Sequence, residues 1–299
     1  MPIAVSQSSE DSNQPSEQGP LVRIMSWNIQ KFAIPEGRWP GLVRLITQEK
    51  PDILCLQETH RWDHNGYALA KQAAEDLGME VRVGRTANTA IAYRPKPGLS
   101  LEGFDAGRVK EVSRGYSAGR FAVADLPAPL VVISAHVSPY SVQQGLIDVQ
   151  PLVTRARRHG GLGLIAGDFN HPPLDDPPPD FAALQPHLRM IRGVPEDPLC
   201  PWEGPWRPNT RVAEQLLAGE MVDAAAFIAD RDGRPELRAP TGVYGQMRVD
   251  RFEAVLALRR ALKSYNRIDP KCHSDHYGIV LELDLHPKNI DWHLLGEFH

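Results

Sequence analysis

A series of residues able to ligate a metal or move a proton stands in or beside predicted strands. Asn28 closes the run LVRIMSWNI, Glu58 follows DILCL within LCLQETH, and His136 closes VVISAH. Asp168 and Asn170 follow LGLIAG as GDFN, Asp250 lies within RVDRF, and Asp275 and His276 precede the last strand as SDH. Carboxylate and amide oxygens (Asn28, Glu58, Asp275) suit a hard, hydrated cation such as Mg²⁺. Two histidines and a free carboxylate suit phosphate binding and the activation of water. Displacement at phosphorus needs those functions: negative charge neutralised, an attacking oxygen aligned and a leaving oxygen stabilised. Nothing in the chain matches a Walker loop, a GxGxxG fingerprint or a GxSxG elbow, so nucleotide-cofactor and serine-hydrolase chemistry have no support.

Taken singly, each residue also has a structural reading. Asn28 can be a turn former, Glu58 a first-turn helix residue, His136 a hydrogen-bonded core histidine, Gly167-Asp168 a turn pair and SDH a loop cap. Asp250 is harder to dismiss, because a carboxylate inside an apolar strand needs a partner. Their joint occurrence, in order and each beside a strand, favours function. A sheet gathers strand ends into one rim, so residues spread over some 250 positions can converge there.

The elements that must hold them are legible in outline. Strands are predicted over 21–29, 52–56, 81–83, 89–93, 119–126, 130–136, 162–166, 248–256 and 278–285. Helical spacing marks 38–49, where Lys50-Pro51 forces a stop, and 66–77, with Gly78 as C-cap. Further helices are expected over 142–158 and 212–228. Strands and helices are intermixed without a repeat, so a layered α/β domain with sheets in the middle is expected over 21–285. Residues 171–209 (DDPPPD, PLCPWEGPWRP) break the pattern as a proline-rich surface excursion. Residues 1–20, rich in Ser, Gln, Glu and Pro, read as a disordered tail, and 286–299 as a polar C-terminal tail.

Composition bounds the class. With 299 residues and 42% apolar content, the chain can bury a substantial core, and net charge −4 is mild. No apolar run approaches the roughly 20 residues of a membrane span. Three widely separated cysteines make neither a disulfide framework nor a zinc site. A reducing cytoplasm and a monomer are expected.

The motifs SWNIQ, LQETH, SAH, GDFN, RVDRF and SDH together resemble the endonuclease/exonuclease/phosphatase superfamily, which includes deoxyribonuclease I, exonuclease III-type abasic-site endonucleases and inositol-polyphosphate 5-phosphatases. The resemblance implies a four-layer α/β sandwich, two mixed sheets face to face with helices outside, and one or two Mg²⁺ or Mn²⁺ ions at one rim. It implies Glu58 as main metal ligand, helped by Asn28 and Asp275. Asp168 would orient or deprotonate the attacking water, Asn170 would hold a phosphate oxygen, and His136 would contact the scissile phosphate. His276, paired with Asp250, would act as acid or base. Gln30, Tyr116 (the nearest match to the site tyrosine of abasic-site enzymes) and Arg251 are the substrate-contact candidates.

Substrate class is less sharply marked. Residues 248–271 hold seven Arg or Lys against three acids, and Arg155, Arg157 and Arg158 form another basic cluster. With Trp39, Trp62, Trp202 and Trp206 as possible stacking surfaces, nucleic acid, DNA above all, is the favoured substrate. The alternative is a small phosphate ester such as an inositol phosphate, lipid head group or specialised metabolite. A catalytically silent scaffold is a remote third reading, since it predicts a lost catalytic group and none is lost.

Overall fold

The computed structural model describes residues 19–107, 110–202, 204–242 and 246–295. Among these residues, fourteen strands form two six-stranded sheets and one short ribbon. The first sheet contains β1 (Leu21–Asn28), β2 (Ile53–Gln57), β3 (Glu80–Val83), β4 (Thr89–Tyr93), β13 (Leu262–Ile268) and β14 (Gly278–Asp284), in the order β13-β14-β1-β2-β4-β3. The second contains β5 (Leu99–Asp105), β6 (Tyr116–Val123), β7 (Leu130–His136), β8 (Gly163–Asp168), β11 (Met221–Asp223) and β12 (Asp250–Val255), in the order β11-β12-β8-β7-β6-β5. β9 (Gly193–Pro195) and β10 (Trp206–Pro208) pair within the proline-rich excursion.

Each large sheet has one parallel pair, β1–β2 and β7–β8, and is otherwise antiparallel. A parallel pair needs a crossover. α1 (Trp39–Glu49) supplies it in the first sheet and α3 (Val142–Ala156) in the second. α1 earns its place through Trp39, Leu42 and Ile46, a buried stripe at helical spacing, and it ends where Lys50 turns left-handed before Pro51. With α2 (Ala68–Leu77) it covers the outer face of the first sheet. α3, α5 (Arg211–Ala218) and α6 (Ala224–Asp232) cover the second, and the excursion carries the short α4 (Pro186–Arg192). The result is the expected four-layer sandwich.

The sheets are pinned to each other by polar bonds as well as apolar packing. Gln57 Nε2 donates to Ser134 Oγ at 3.1 Å, Ser134 Oγ donates to the Leu56 carbonyl at 2.9 Å, and Thr89 Oγ1 and Ser117 Oγ lie 2.9 Å apart. All are buried, so each bond replaces one that water would otherwise make. Close strand approach at the rim requires glycine twice. A Cβ on Gly167 would lie 1.9 Å from the Ala135 carbonyl oxygen, and one on Gly278 would meet the Trp27 ring at 2.8 Å.

Three expectations need correction. The predicted helix 212–228 is two helices split by β11, because Gly219 caps α5 and Glu220 turns left-handed (φ 55°) before the chain pairs with β12. β5 and β13 had no sequence signal strong enough to register. The tail after His286 is docked through residue 295: Ile290 is buried, and Trp292, Leu294 and Leu295 pack on the main core. The tail at 1–20 lies, up to residue 18, outside the described residues. Among those described, no helix is long and apolar enough to cross a membrane.

Candidate active site

Both parallel pairs end their strands at the same rim. Asn28 ends β1 and Glu58 follows β2, while His136 ends β7 opposite Asp168 at the end of β8. Asp250 starts antiparallel β12 directly across from Asp168. His276 lies just before β14, tied down by an isolated bridge to Gly242. Carboxyl ends of parallel strands are where open α/β sheets place ligands.

Asp168 Oδ2 is the hub. Asn28 Nδ2 donates to it at 3.2 Å, His136 Nε2 stands 3.6 Å away and His276 Nε2 3.8 Å away. The other oxygen, Oδ1, accepts the backbone N–H of Asn170 at 2.9 Å. His276 Nδ1 bonds Asp250 Oδ2 at 2.8 Å. Asp250 is aimed by Thr241, whose Oγ1 accepts the N–H groups of Val249 and Asp250 at 3.0 and 2.9 Å. Ser274 Oγ donates to the Asn28 carbonyl at 2.7 Å and accepts the His276 N–H, joining the β1 end to the SDH loop. Trp27 completes that junction, with Nε1–H on the His276 carbonyl at 2.8 Å.

The two histidines are held in opposite states. Burial keeps His136 well below the usual histidine range, reinforced by the nearby charges of Arg114, His276 and His60. With Asn88 Nδ2 donating to its Nδ1 at 3.2 Å, the proton of neutral His136 sits on Nε2, facing Asp168. Burial also works against protonating His276, but the Asp250 and Asp168 carboxylates outweigh it and lift the imidazole to about 10. Burial pushes Asp168 up to about 6, with Asp250 adding to the rise and His276 and the Asn28 and Asn170 bonds opposing it.

Glu58 occupies a left-handed position (φ 63°) after β2, and its Oε2 accepts the Lys31 N–H at 2.9 Å while Oε1 lies 3.4 Å from Asn28 Nδ2. Asn28 Oδ1 accepts the Gln30 N–H at 3.0 Å. Asn28 therefore spaces Glu58 from Asp168 with its N–H group instead of offering an oxygen to a metal. A divalent cation fits this donor set: Glu58 and Asp168 bring two hard carboxylates to one amide, and the buried Asp250 Oδ1 has no hydrogen-bond partner. Asp168, Asp250 and His276 also hold ligand-type atoms within 4.8 Å of one another. The 2.8 Å bond to Asp250 makes His276 the carboxylate's partner, which leaves the oxygens as the natural ligands.

The structure thus brings together Asn28, Glu58, His136, Asp168, Asn170, Asp250 and His276. Asn170 spends one amide hydrogen on the Val137 carbonyl at 3.1 Å. Half-buried Asp275 adds to the field on His276. Gln30 is engaged through its backbone, whose carbonyl accepts Arg38 Nη2 at 2.9 Å. Tyr116 and Arg251 require correction as substrate contacts, since neither side chain is accessible. Tyr116 is fully buried with its hydroxyl on Asp105 and Glu111. Arg251, on β12, is fully buried, 3.3 Å from Glu253 and stacked 4.6 Å over the Phe169 ring.

The basic clusters are corrected in part: Arg248 and Arg251 are buried and several others are paired, while Arg158, Arg259, Arg260, Lys263 and Lys271 stay exposed. Arg155 pairs with Glu111, Arg157 with Glu220, Arg248 with Asp176 and Asp223, and Arg260 with Asp291. Trp39 and Trp62 are core, packed edge to face. Positive charge beside the site comes instead from residues that sequence reasoning passed over. Arg114 acts on His136 and His60, Arg61 stacks 5.5 Å over Phe32, and Lys31 is anchored on Glu58. Arg192, buried at the end of α4, adds a cation whose charge reaches Asp168 and Asp250. Asn88, Thr241 and Ser274 were also missed; only Ser274, inside SDH, stands next to a recognisable motif.

With this geometry in hand, comparison with known proteins is decisive at family level: the Endonuclease/Exonuclease/phosphatase family profile matches residues 25–225. The chain belongs to that family. Among solved structures, a humanised TDP2 from D. rerio is 14% identical, covering 88% of this chain and 98% of that one at TM-score 0.53. The 3′ phosphatase NExo from Neisseria, solved with a product DNA hairpin, is 19% identical over 88% and 99% at TM-score 0.55. An endonuclease/exonuclease/phosphatase from Beutenbergia cavernae is 20% identical over 89% and 72% at TM-score 0.56. At such identities the likeness speaks for the fold. Comparison with curated protein sequences found no match. Members of this family are hydrolases of phosphate esters, typically dependent on a divalent metal.

Proposed function

We propose that this chain is a Mg²⁺- or Mn²⁺-dependent phosphodiesterase that acts on nucleic acid, DNA above all, as a nuclease or end-processing enzyme. The observation that carries the reading is the convergence of neutral His136, cationic His276 and the shared Asp168 carboxylate on one point at the rim. The polyanion part rests on the Lys31, Arg61 and Arg114 side of that rim, with exposed Tyr140 beneath the Arg114 guanidinium at 5.8 Å.

Each residue has a task set by its state. Ionised Asp168 accepts the proton of the attacking water, and Asn28 and the Asn170 N–H hold it in line. His136 donates its Nε2 proton as a hydrogen bond to a phosphoryl oxygen and stays neutral throughout. His276, fixed by Asp250, brings a full positive charge to the oxygens that gain charge as the bond breaks. Glu58 and Asp168 would hold the divalent cation, which when bound acts as a Lewis acid toward the phosphate and its leaving oxygen.

The test is a metal-controlled assay on supercoiled plasmid and on abasic, nicked and tyrosyl-linked duplexes. EDTA should abolish turnover and Mg²⁺ restore it, and Glu58→Gln should raise the Mg²⁺ needed for half-maximal rate at least about tenfold. Release of phosphate from small esters alone would replace the nucleic-acid reading. Because Asp168 must be ionised to serve as base, kcat should fall as pH drops through about 6 at limiting metal. Saturating Mg²⁺ should move that limb to lower pH, since a cation favours the carboxylate. A kcat–pH profile at two Mg²⁺ concentrations checks both statements.

A further inference from the structure

One buried acid has no part in the catalytic reading. Asp148, on α3, is wholly buried, and among the described residues no cation pairs with it. The buried positions beside it on the helix, Val149 and Leu152, are apolar. A carboxylate among them carries a desolvation cost that only well-made hydrogen bonds offset.

Four donors make those bonds. Oδ1 accepts the Ser113 N–H at 2.8 Å and Gln144 Nε2–H at 2.9 Å. Oδ2 accepts the Ser113 hydroxyl at 2.7 Å and the Ser138 N–H at 3.0 Å. Gln144 belongs to α3 itself, but Ser113 lies in the turn before β6 and Ser138 in the loop after β7. A single side chain thus ties two separate loops together.

Both loops carry groups of the rim. Arg114 follows Ser113 and is fixed on its other side by Thr86 Oγ1, which donates to the Arg114 carbonyl at 2.7 Å. The charge of Arg114 reaches His136 and His60, and its buried Nε has no hydrogen-bond partner among the described residues. Ser138 stands two residues after His136. Its carbonyl accepts His171 Nε2–H at 3.0 Å, and its Oγ accepts the Tyr140 N–H at 3.3 Å. The Tyr140 ring lies under the Arg114 guanidinium. Asp148 Oδ2 therefore sets both members of the Arg114–Tyr140 pair against the strand end that bears His136.

We propose that Asp148 is a positioning residue for substrate binding, holding Arg114 where the phosphate next to the one on His136 can reach it. The proposal rests on the nucleic-acid reading above. In Asp148→Asn, whichever oxygen becomes the NH₂ group faces a backbone N–H, of Ser113 or of Ser138, that needs an acceptor.

The test uses the full chain with Mg²⁺ on the duplex that the unaltered protein cleaves fastest. Asp148→Asn should raise KM about tenfold while kcat stays within about threefold. The slope of log KM against log salt should fall by about 1, as in Arg114→Ala, because one phosphate contact is lost. In an Arg114→Ala background, Asp148→Asn should change KM less than about twofold, since both act through one contact. Ser113→Ala removes only the hydroxyl bond, should raise KM about threefold, and decides the matter if Asp148→Asn does not fold. KM effects that multiply in the double variant, an unchanged salt slope, an unchanged KM in Ser113→Ala or a loss confined to kcat overturns the role of Asp148 and leaves the nuclease intact. Failure of the unaltered chain to turn over any duplex overturns both.

Discussion

Asp250→Asn should lower kcat about a thousandfold with little change in fold, the scale on which losing one preorganised charge-stabilising group costs an enzyme. The reason is the 2.8 Å bond from His276 Nδ1 to Asp250 Oδ2. An amide of the same shape keeps the contact but withdraws the negative charge that, with Asp168, lifts the imidazole to about 10 against the cost of burial. His276 would then lose the largest interaction that favours its charged form, and with it much of the charge stabilisation at the transition state. Single-turnover kinetics gives the rate, and NMR titration of the His276 ring gives the cause. Stability should follow the same proton. A histidine raised in the folded state contributes stability that is complete below its unfolded value near 6.5 and is lost as pH rises through about 10. In metal-free Asp250→Asn that alkaline loss should shift to lower pH. An unchanged kcat, or a His276 titration that does not move, would remove His276 and Asp250 from the mechanism.

Arg248→Met should be the most destabilising of the single changes considered, by about 3–5 kcal/mol. The Arg248 side chain is wholly buried and makes three charge-assisted bonds at 2.8 Å, two to Asp176 and one to Asp223. Methionine fills similar volume but removes the cation bonded to both carboxylates, leaving Asp176 the Arg238 guanidinium at 4.0 Å and Asp223 only the field of Arg251. Asp223 is also the N-cap of α6, through the Ala226 N–H, so the damage spreads to the helix packed behind β12. Urea unfolding at neutral pH measures the loss. Replacing Asp176 by Asn in the same chain should recover part of it, because one of the stranded charges is then gone. A loss below about 1 kcal/mol would mean that water reaches these carboxylates and that the excursion is not anchored there.

The catalytic groups were legible because they combine two local signals: a polar residue of restricted type and a strand boundary. Asn28, Glu58, His136, Asp168 and His276 each stand at the edge of an apolar run. The groups that hold them were not legible, because their bonds join distant positions. Ser274 reaches Asn28 across 246 residues, and Asn88 reaches His136 across 48. Thr241 is one threonine among several until Asp250 is folded against it. Charge counting along the chain misled for a related reason. Arg248 and Arg251 look like part of a basic surface in sequence, and both point inward, one onto carboxylates and one onto an aromatic ring. Among the elements, β13 escaped because it alternates half-exposed polar residues with only two buried ones, so no apolar run announces it. The helix predicted over 212–228 failed at Gly219-Glu220, where pairing with β12 outweighs helical spacing.

The buried bonds between Gln57 and Ser134 and between Thr89 and Ser117 have a meaning beyond holding the sandwich closed. Asn28, Glu58 and His276 ride on one sheet, while His136, Asp168 and Asp250 ride on the other. The reactive centre is therefore a joint with half its parts on each leaf, and those bonds work as dowels that set the leaves in register. Activity becomes a gauge of alignment. Loosening a dowel, as in Ser134→Ala, would let one leaf creep against the other and mistime the chemistry well before the fold itself gave way.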